Sequence, residues 1–339
     1  MTVRVGVIGV GMIGQDHIRR LTQVLSGARV VAVTDVDPAR ARSVADGVPD
    51  CRVFETGQEL IRDDDVDAVL VASWGATHEE YVLASIEAGK PVFCEKPLAT
   101  TQEACQRILD AEVASGRRLV MVGFMRRYDA SYRAVKAAVD DGAIGAPLLM
   151  HCAHRNPSVP PYGFTTEMVI TDSAIHEIDL VRWMFGEEIV ATTVLKPRRS
   201  SNAGEELHDP LIVLLEMAGG VLVDVELSLN IRYGYDIRGE VVGENGTAAL
   251  AETTGAIVKS DGRFSGRVPV DWRERFIRAY DVELQDWVDA VAAGGFTGPS
   301  AWDGYAAAVV SDSCLEALRT GIRTVVSQRE RPDFYSKVQ

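Results

Sequence analysis

The spacing of apolar and polar positions changes midway along the chain. Up to residue 122, short apolar runs alternate with amphipathic stretches. Strands are predicted at Val3–Ile8, Arg29–Thr34, Asp67–Ala72, Pro91–Cys94 and Arg118–Val122. Helices are predicted between them, near Ile13–Ser26, Pro38–Asp46, Thr77–Ala88 and Thr101–Ser115. Strands alternating with helices build right-handed βαβ units and a parallel, doubly wound sheet.

Beyond about residue 145 the period becomes two. Val221, Val223, Val225, Leu227 and Leu229 alternate with Asp224, Glu226, Ser228 and Asn230, as in a half-buried strand of an antiparallel sheet. Further strands are expected at Leu148–His154, Ile189–Leu195, Leu211–Glu216, Asp236–Val242 and Thr247–Ala251. Gly219-Gly220 and Asn245-Gly246 mark hairpin turns. Helices are expected over Ser173–Met184, Trp272–Ala292 and Ala301–Thr320. The pattern predicts two domains: an α/β dinucleotide-type domain over 1–122, then an α+β domain with a large, mainly antiparallel open sheet over 123–339.

A chain of 339 residues exceeds the usual single core, which agrees with two domains. Its formal charge of −14 disfavours nucleic acid and anionic membrane surfaces as partners. The five cysteines are scattered without metal-ligand spacing, so reduced thiols are expected. No signal-peptide pattern opens the chain, and no apolar run approaches the roughly 20 residues of a membrane span. A cytoplasmic protein is expected.

Gly9-Val10-Gly11-Met12-Ile13-Gly14 follows the first strand and opens a helix. In such a turn the first glycine permits the bend, the second admits a pyrophosphate, and the third allows close helix–strand packing. An acid, Asp35, ends the second strand at the distance expected of a ribose ligand. Thr34, Val36 and Asp37 supply no cation for a 2′-phosphate, and Arg40 lies a turn into the next helix. NAD is therefore the expected cofactor.

Two further segments carry chemistry. Lys96, in Glu95-Lys96-Pro97, ends the strand at Pro91–Cys94, on the side of the sheet where ligands bind. The plain alternative is a surface lysine before a loop proline. Asp172 and His176 are four apart and share a helical face, with Asp179 three further on. Such a row can orient an imidazole and relay its proton; equally, Asp172 is an N-cap and His176 a bonded core histidine. His151 and His154, three apart on a strand, face opposite sides and make no metal pair, so no metal is expected. Tyr128 and Tyr162 read as packing or loop residues, while Tyr280 is a candidate to approach the pocket.

Taken with Ser73-Trp74-Gly75, the segments Gly123–Asp129 (GFMRRYD), His151–Pro157 (HCAHRNP), Asp172–Asp179, Tyr233–Asp236 and Gly298–Tyr305 make the chain resemble the Gfo/Idh/MocA oxidoreductase family, and within it the group that oxidises inositols. The resemblance runs from Val3 to about Tyr335. It implies an N-terminal Rossmann domain followed by an open sheet used for oligomerisation, commonly in a homotetramer. It implies catalytic roles for Lys96, Asp172 and His176. Cofactor contacts are implied at Gly9, Gly11, Met12, Ile13, Gly14, Asp35, Ser73, Trp74, His78 and Glu95. A polyol pocket is implied at Met125, Arg126, His154, Asn156, Ser173 and Tyr235, with Ser173 where relatives can carry threonine. The implied reaction is NAD-dependent oxidation of myo-inositol at its axial 2-hydroxyl, with D-chiro-inositol as a further substrate. Scyllo-inositol, a pyranose, or a non-catalytic NAD-binding regulator remain as alternatives.

Overall fold

The computed structural model describes residues 2–160, 163–251 and 256–336. The first sheet holds β1 (Val3–Ile8), β2 (Ala28–Thr34), β3 (Arg52–Val53), β4 (Ala68–Val71), β5 (Val92–Glu95) and β6 (Val120–Gly123). They run parallel in the order β3-β2-β1-β4-β5-β6. Helices α1 (Met12–Gln23), α2 (Pro38–Ala45), α3 (Gly57–Arg62), α4 (His78–Glu87) and α5 (Gln102–Ser115) alternate with the strands. Val5, Val7, Val69, Leu70, Val71, Phe93, Val120 and Val122 have no exposure, as expected when helices cover both faces of a parallel sheet.

Two elements here escape the apolar pattern. β3 is a two-residue exposed edge, too short to show a period. Helix α3 is held mainly by its ends: Thr56 and Glu59 form a reciprocal capping box over only six helical residues.

The second sheet has seven strands: β7 (Pro147–Arg155), β8 (Ile189–Leu195), β9 (Leu211–Met217), β10 (Leu222–Ser228), β11 (Asp236–Gly243), β12 (Gly246–Ala249) and β15 (Thr324–Val325). The order is β12-β11-β7-β10-β9-β8-β15. All pairs are antiparallel except β7 with β10, which makes the sheet mixed. A small hairpin, β13 (Val258–Ser260) with β14 (Arg263–Ser265), is fully exposed. Along β10 the alternation reads as predicted: Val223, Val225 and Leu227 are buried, while Asp224 and Glu226 are half-buried. Helices α6 (Ala130–Asp140), α7 (Thr166–Met168), α8 (Ile175–Phe185), α9 (Trp272–Ala292), α10 (Ala301–Thr320) and α11 (Asp333–Ser336) complete the chain.

The chain divides into two compact units, but not by the single cut near residue 122 that the pattern suggests. The first unit comprises the chain up to Phe124, Tyr280–Ala308 and the stretch from Arg329 on; the second comprises Met125–Ala279 and Val309–Gln328. The divisions fall inside α9 and α10, where an uninterrupted helical period hides them. The returning segments are tied to the first unit by specific contacts. Asp281 pairs with Arg20, Trp287 meets the Phe93 ring edge-on, and the Val122 N–H donates to the Pro299 carbonyl.

The segment from Arg329 on is tied to the same unit through a polar core. Buried Glu112 accepts from the Leu119 and Val120 N–H groups at 2.7 and 2.8 Å, and from the Tyr335 hydroxyl at 2.6 Å. Burial pushes this carboxyl above its ordinary range, against the opposing pull of those donors. Tyr335→Phe leaves one carboxylate oxygen buried without its donor, a penalty of about 1–3 kcal/mol. A lower urea midpoint with an unchanged m-value is expected; an unmoved midpoint would refute it.

Candidate active site

Three glycines shape the turn after β1, and they are glycine for different reasons. Gly9 has φ +88°, and a Cβ there would lie 2.4 Å from the Ser73 backbone nitrogen. A Cβ on Gly14 would lie 2.0 Å from the Gly9 carbonyl oxygen. Those two positions close the turn on itself. A Cβ on Gly11 would meet nothing within 4 Å, so packing inside the protein does not demand glycine there. The open space lies at the N-cap of α1, which no side chain caps. Close backbone approach beside uncapped helical N–H groups is what a pyrophosphate requires.

Other features of the same unit fit a dinucleotide. Met12, Val36 and Trp74 are 63, 98 and 81% exposed; Met12 opens α1 just after β1, and Val36 and Trp74 stand in the loops after β2 and β4. Ile13 and Ser73 are half-buried beside them in sequence, and the Ser73 hydroxyl bonds that of Thr77 at 2.8 Å. The Asp35 carboxylate is held rigidly: it accepts from the Val10 N–H at 2.7 Å and the Asp37 N–H at 2.9 Å. Arg40 stands 3.5 Å from Asp35 and 3.4 Å from Asp37, so its charge is shared by two carboxylates. A fixed anion here suits a ribose diol and repels a 2′-phosphate.

Two side chains expected at the cofactor, His78 and Glu95, are buried. His78 is buried, with Nδ1 2.7 Å from the Pro97 carbonyl and Nε2 3.0 Å from the Ser73 carbonyl. It ties together the loops after β4 and β5, and burial lowers its pKa. Glu95 is 7% exposed; one oxygen lies 2.7 Å from His17 Nε2 and the other accepts from the Lys96 N–H at 3.2 Å. The His78 ring serves backbone carbonyls, and the Glu95 carboxylate serves the His17 ring and the Lys96 N–H. Lys96 itself is half-buried.

In the second unit the Asp172–His176 row begins on an unexpected turn. Residues Val169–Ala174 form one turn of π-helix, after which α8 continues as an ordinary α-helix. Such π-turns recur at functional sites because they re-aim side chains. Asp172 is exposed, Ser173 is buried, and His176 is half-buried with its Nδ1 out of solvent. Asp179 departs from the row: it is buried and bound by Arg127 through two bonds of 2.8 and 2.5 Å.

The residue that gathers the rest is Glu177, which the sequence reading passed over. It is buried, forms a short ion pair with Arg126 and lies 3.1 Å from His154 Nδ1. Arg126 Nη2 also lies 3.2 Å from that nitrogen, and the Arg126 guanidinium sits 5.6 Å over the Phe276 ring. Arg126 thus braces Glu177 and the His154 ring, while its Nε keeps a buried N–H with no hydrogen-bond partner among the described residues. Burial pushes Glu177 upward, but the Arg126 charge and the His154 bond outweigh it and hold the carboxyl below its usual range. Tyr235 stands edge-on to His154, and burial pushes its phenol up to about 12, so at neutral pH it remains a donor. Two residues beyond His154, half-buried Asn156 carries a sheltered Oδ1 with no hydrogen-bond partner in the protein. Met125 is buried beside Arg126. His151 faces the opposite way, exposed and paired with Asp224. Tyr128 packs beneath Arg133, Tyr280 packs against His17 and Arg20, and Tyr162 lies outside the described residues.

Comparison with known proteins agrees with this division of labour. The model of the GFO_IDH_MocA oxidoreductase family, NAD-binding Rossmann fold, matches residues 3–124, and that of its C-terminal alpha/beta domain matches 136–326. The chain is 56% identical to an inositol 2-dehydrogenase of Burkholderia lata over 99% of both, and 55% identical to one of Ralstonia nicotianae, again over 99% of both. Among solved structures, a myo-inositol dehydrogenase of Lactobacillus casei in complex with NAD(H) and myo-inositol superposes with a TM-score of 0.96. That protein is 40% identical, covering 99% of this chain and 100% of its own. Among the described residues, no helix is long and apolar enough to cross a membrane.

Two outcomes are expected. Asp35→Ser should shrink the NAD-over-NADP ratio of kcat/KM by about tenfold or more, each ~1.4 kcal/mol of relieved repulsion being one decade. A wild type that uses both cofactors equally would remove the role assigned to Asp35. Glu177→Ala strands the buried Arg126 charge and should destabilise the fold by about 3–5 kcal/mol, seen as a lower Tm.

Proposed function

The chain belongs to the Gfo/Idh/MocA oxidoreductase family, and on that premise we propose that it is an NAD-dependent dehydrogenase oxidising myo-inositol at the axial 2-hydroxyl to the 2-ketone, scyllo-inosose. D-chiro-inositol is a second substrate. The observation that carries this reading is the full-length likeness to an enzyme solved with both NAD(H) and myo-inositol. The second unit supplies chemistry suited to a polyol: a sheltered Asn156 acceptor, a Tyr235 donor and a His154 ring oriented from behind by Glu177 and Arg126. Ser173 and Met125 line the same pocket. A site built from fixed donors and acceptors discriminates against analogues that leave them unpaired.

Bound NAD supplies the hydride acceptor. The protein must take the hydroxyl proton, since an aliphatic alcohol is a very weak acid. His176 accepts it, and Asp172 one turn earlier orients the imidazole and stabilises its cationic form. Lys96 donates a hydrogen bond to the substrate oxygen and offsets the negative charge that develops there. In the nucleotide unit, Gly9, Gly11, Met12, Ile13 and Gly14 would hold the pyrophosphate and Asp35 the ribose of NAD, with Ser73 and Trp74 as further cofactor contacts. The polar and apolar positions on the open face of the second sheet, among them Leu149, Leu222 and Leu195, support self-association as a homotetramer. A cytoplasmic location accords with this reading.

His176→Ala should reduce kcat by roughly 10²–10⁴ while leaving NAD affinity intact in a fluorescence titration. In the wild type, oxidation should accelerate with rising pH until the imidazole has lost its proton. Absorbance of NADH across a panel of inositol isomers and pyranoses tests the substrate, with myo-inositol expected first. Glucose turning over faster than every inositol would overturn the assignment.

A further inference from the structure

Helix α1 carries a second polar residue below its glycine turn. His17 has no exposure, sits edge-on to Phe93 at 5.8 Å and lies 5.8 Å from the Tyr280 ring. Its Nδ1 lies 3.4 Å from Arg20 Nη1, and its Nε2 lies 2.7 Å from Glu95 Oε1. A guanidinium only donates, so Nδ1 must accept and the ring proton must reside on Nε2. The Nε2–H then donates to Glu95. The other Glu95 oxygen accepts from the Lys96 backbone N–H at 3.2 Å. Arg20 is held in turn by Asp16 at 2.7 Å and Asp281 at 3.2 Å. A polar chain thus runs from the helix that begins at the cofactor turn to the backbone of the lysine, through groups that lie almost wholly out of water.

The space around Glu95 is tailored to it. A Cβ on Gly123 would stand 3.2 Å from Glu95 Oε2 and 3.0 Å from the Phe93 ring, so β6 leaves room for that carboxylate and little more. Hydrophobic groups of similar volume would serve stability as well or better than a buried ionic chain. What such a chain adds is direction, because every member is held at a defined angle.

We propose that His17 is a positioning residue for Lys96, acting through Glu95, so that the helix seating the cofactor also aims the lysine at the substrate oxygen. This inference rests on the function proposed above. Misplacement of a reacting group by about 1 Å can cost roughly 10²-fold in rate. His17→Leu should therefore lower kcat by about ten- to a hundredfold, with NAD affinity unchanged. His17→Gln, whose amide N–H takes the place of Nε2–H, should restore most of it. Glu95→Gln keeps the shape but turns one acceptor into a donor, and should lose kcat as His17→Leu does even if the leucine variant folds poorly.

The deciding measurement is made in a Lys96→Ala background, where His17→Leu should produce no further loss. An additive loss there, a loss that tracks weakened NAD binding, or full activity in both single variants would overturn the proposal. A readout without substrate separates this inference from the choice of polyol. The labelling rate of the Lys96 amine by an acylating reagent, followed by peptide mass spectrometry, should change in His17→Leu and return in His17→Gln. That pattern in an enzyme inactive on every inositol would overturn the substrate alone; an unchanged labelling rate would overturn the positioning role.

Discussion

All strands of the first sheet run parallel, so their carboxyl ends share one edge, and the nucleotide half of the site follows from that constraint. Gly9 follows β1, Asp35 follows β2, Ser73 and Trp74 follow β4, and Lys96 follows β5. Positions scattered over nearly ninety residues of sequence are brought to one rim because hydrogen bonding between parallel strands permits no other arrangement. The rim is backed by buried groups that tie one loop to the next. His78 joins the loops after β4 and β5, and Glu95 joins the β5 loop to α1. A loop that carries chemistry needs such ties, since loops left to solvent are mobile.

The second unit uses ionic rather than backbone constraints. Arg126, Glu177 and His154 come from separate elements, and Asp179, two residues after Glu177 on α8, forms a second ion pair with Arg127. Removing Arg126 or Glu177 leaves the other charge out of water without compensation, which holds the pair in place. That geometry leaves Asn156 with an acceptor to offer and Tyr235 as a protonated donor. Polar groups with unmet capacity, on a frame that cannot relax around them, make a surface selective for hydroxyls.

Much of this was legible in the chain. The period-3.6 and period-2 stretches place β1, β8, α9 and α10 at or very near their observed bounds, because long amphipathic elements write their burial into their spacing. The glycine turn and Asp35 were readable for the same reason: their chemistry is local, with partners inside one βαβ unit. The π-turn at Val169–Ala174 was not, since nothing in the residue types distinguishes it from the α-helix it interrupts. Nor was the unit boundary inside α9, where one helical period passes unbroken from one unit to the other.

The sequence by itself determined the two kinds of sheet, the glycine turn and the place of Asp35 at the end of β2. Only the tertiary structure decided what each polar side chain faces. Glu95 and His78 are buried, Arg126 braces Glu177 and His154, and His17 is joined to the Lys96 backbone through Glu95. Backbone pattern is set by neighbours along the chain, within reach of periodicity. The partner of a buried charge is set by whichever residue, however distant in sequence, the fold brings close enough to keep that charge satisfied without water.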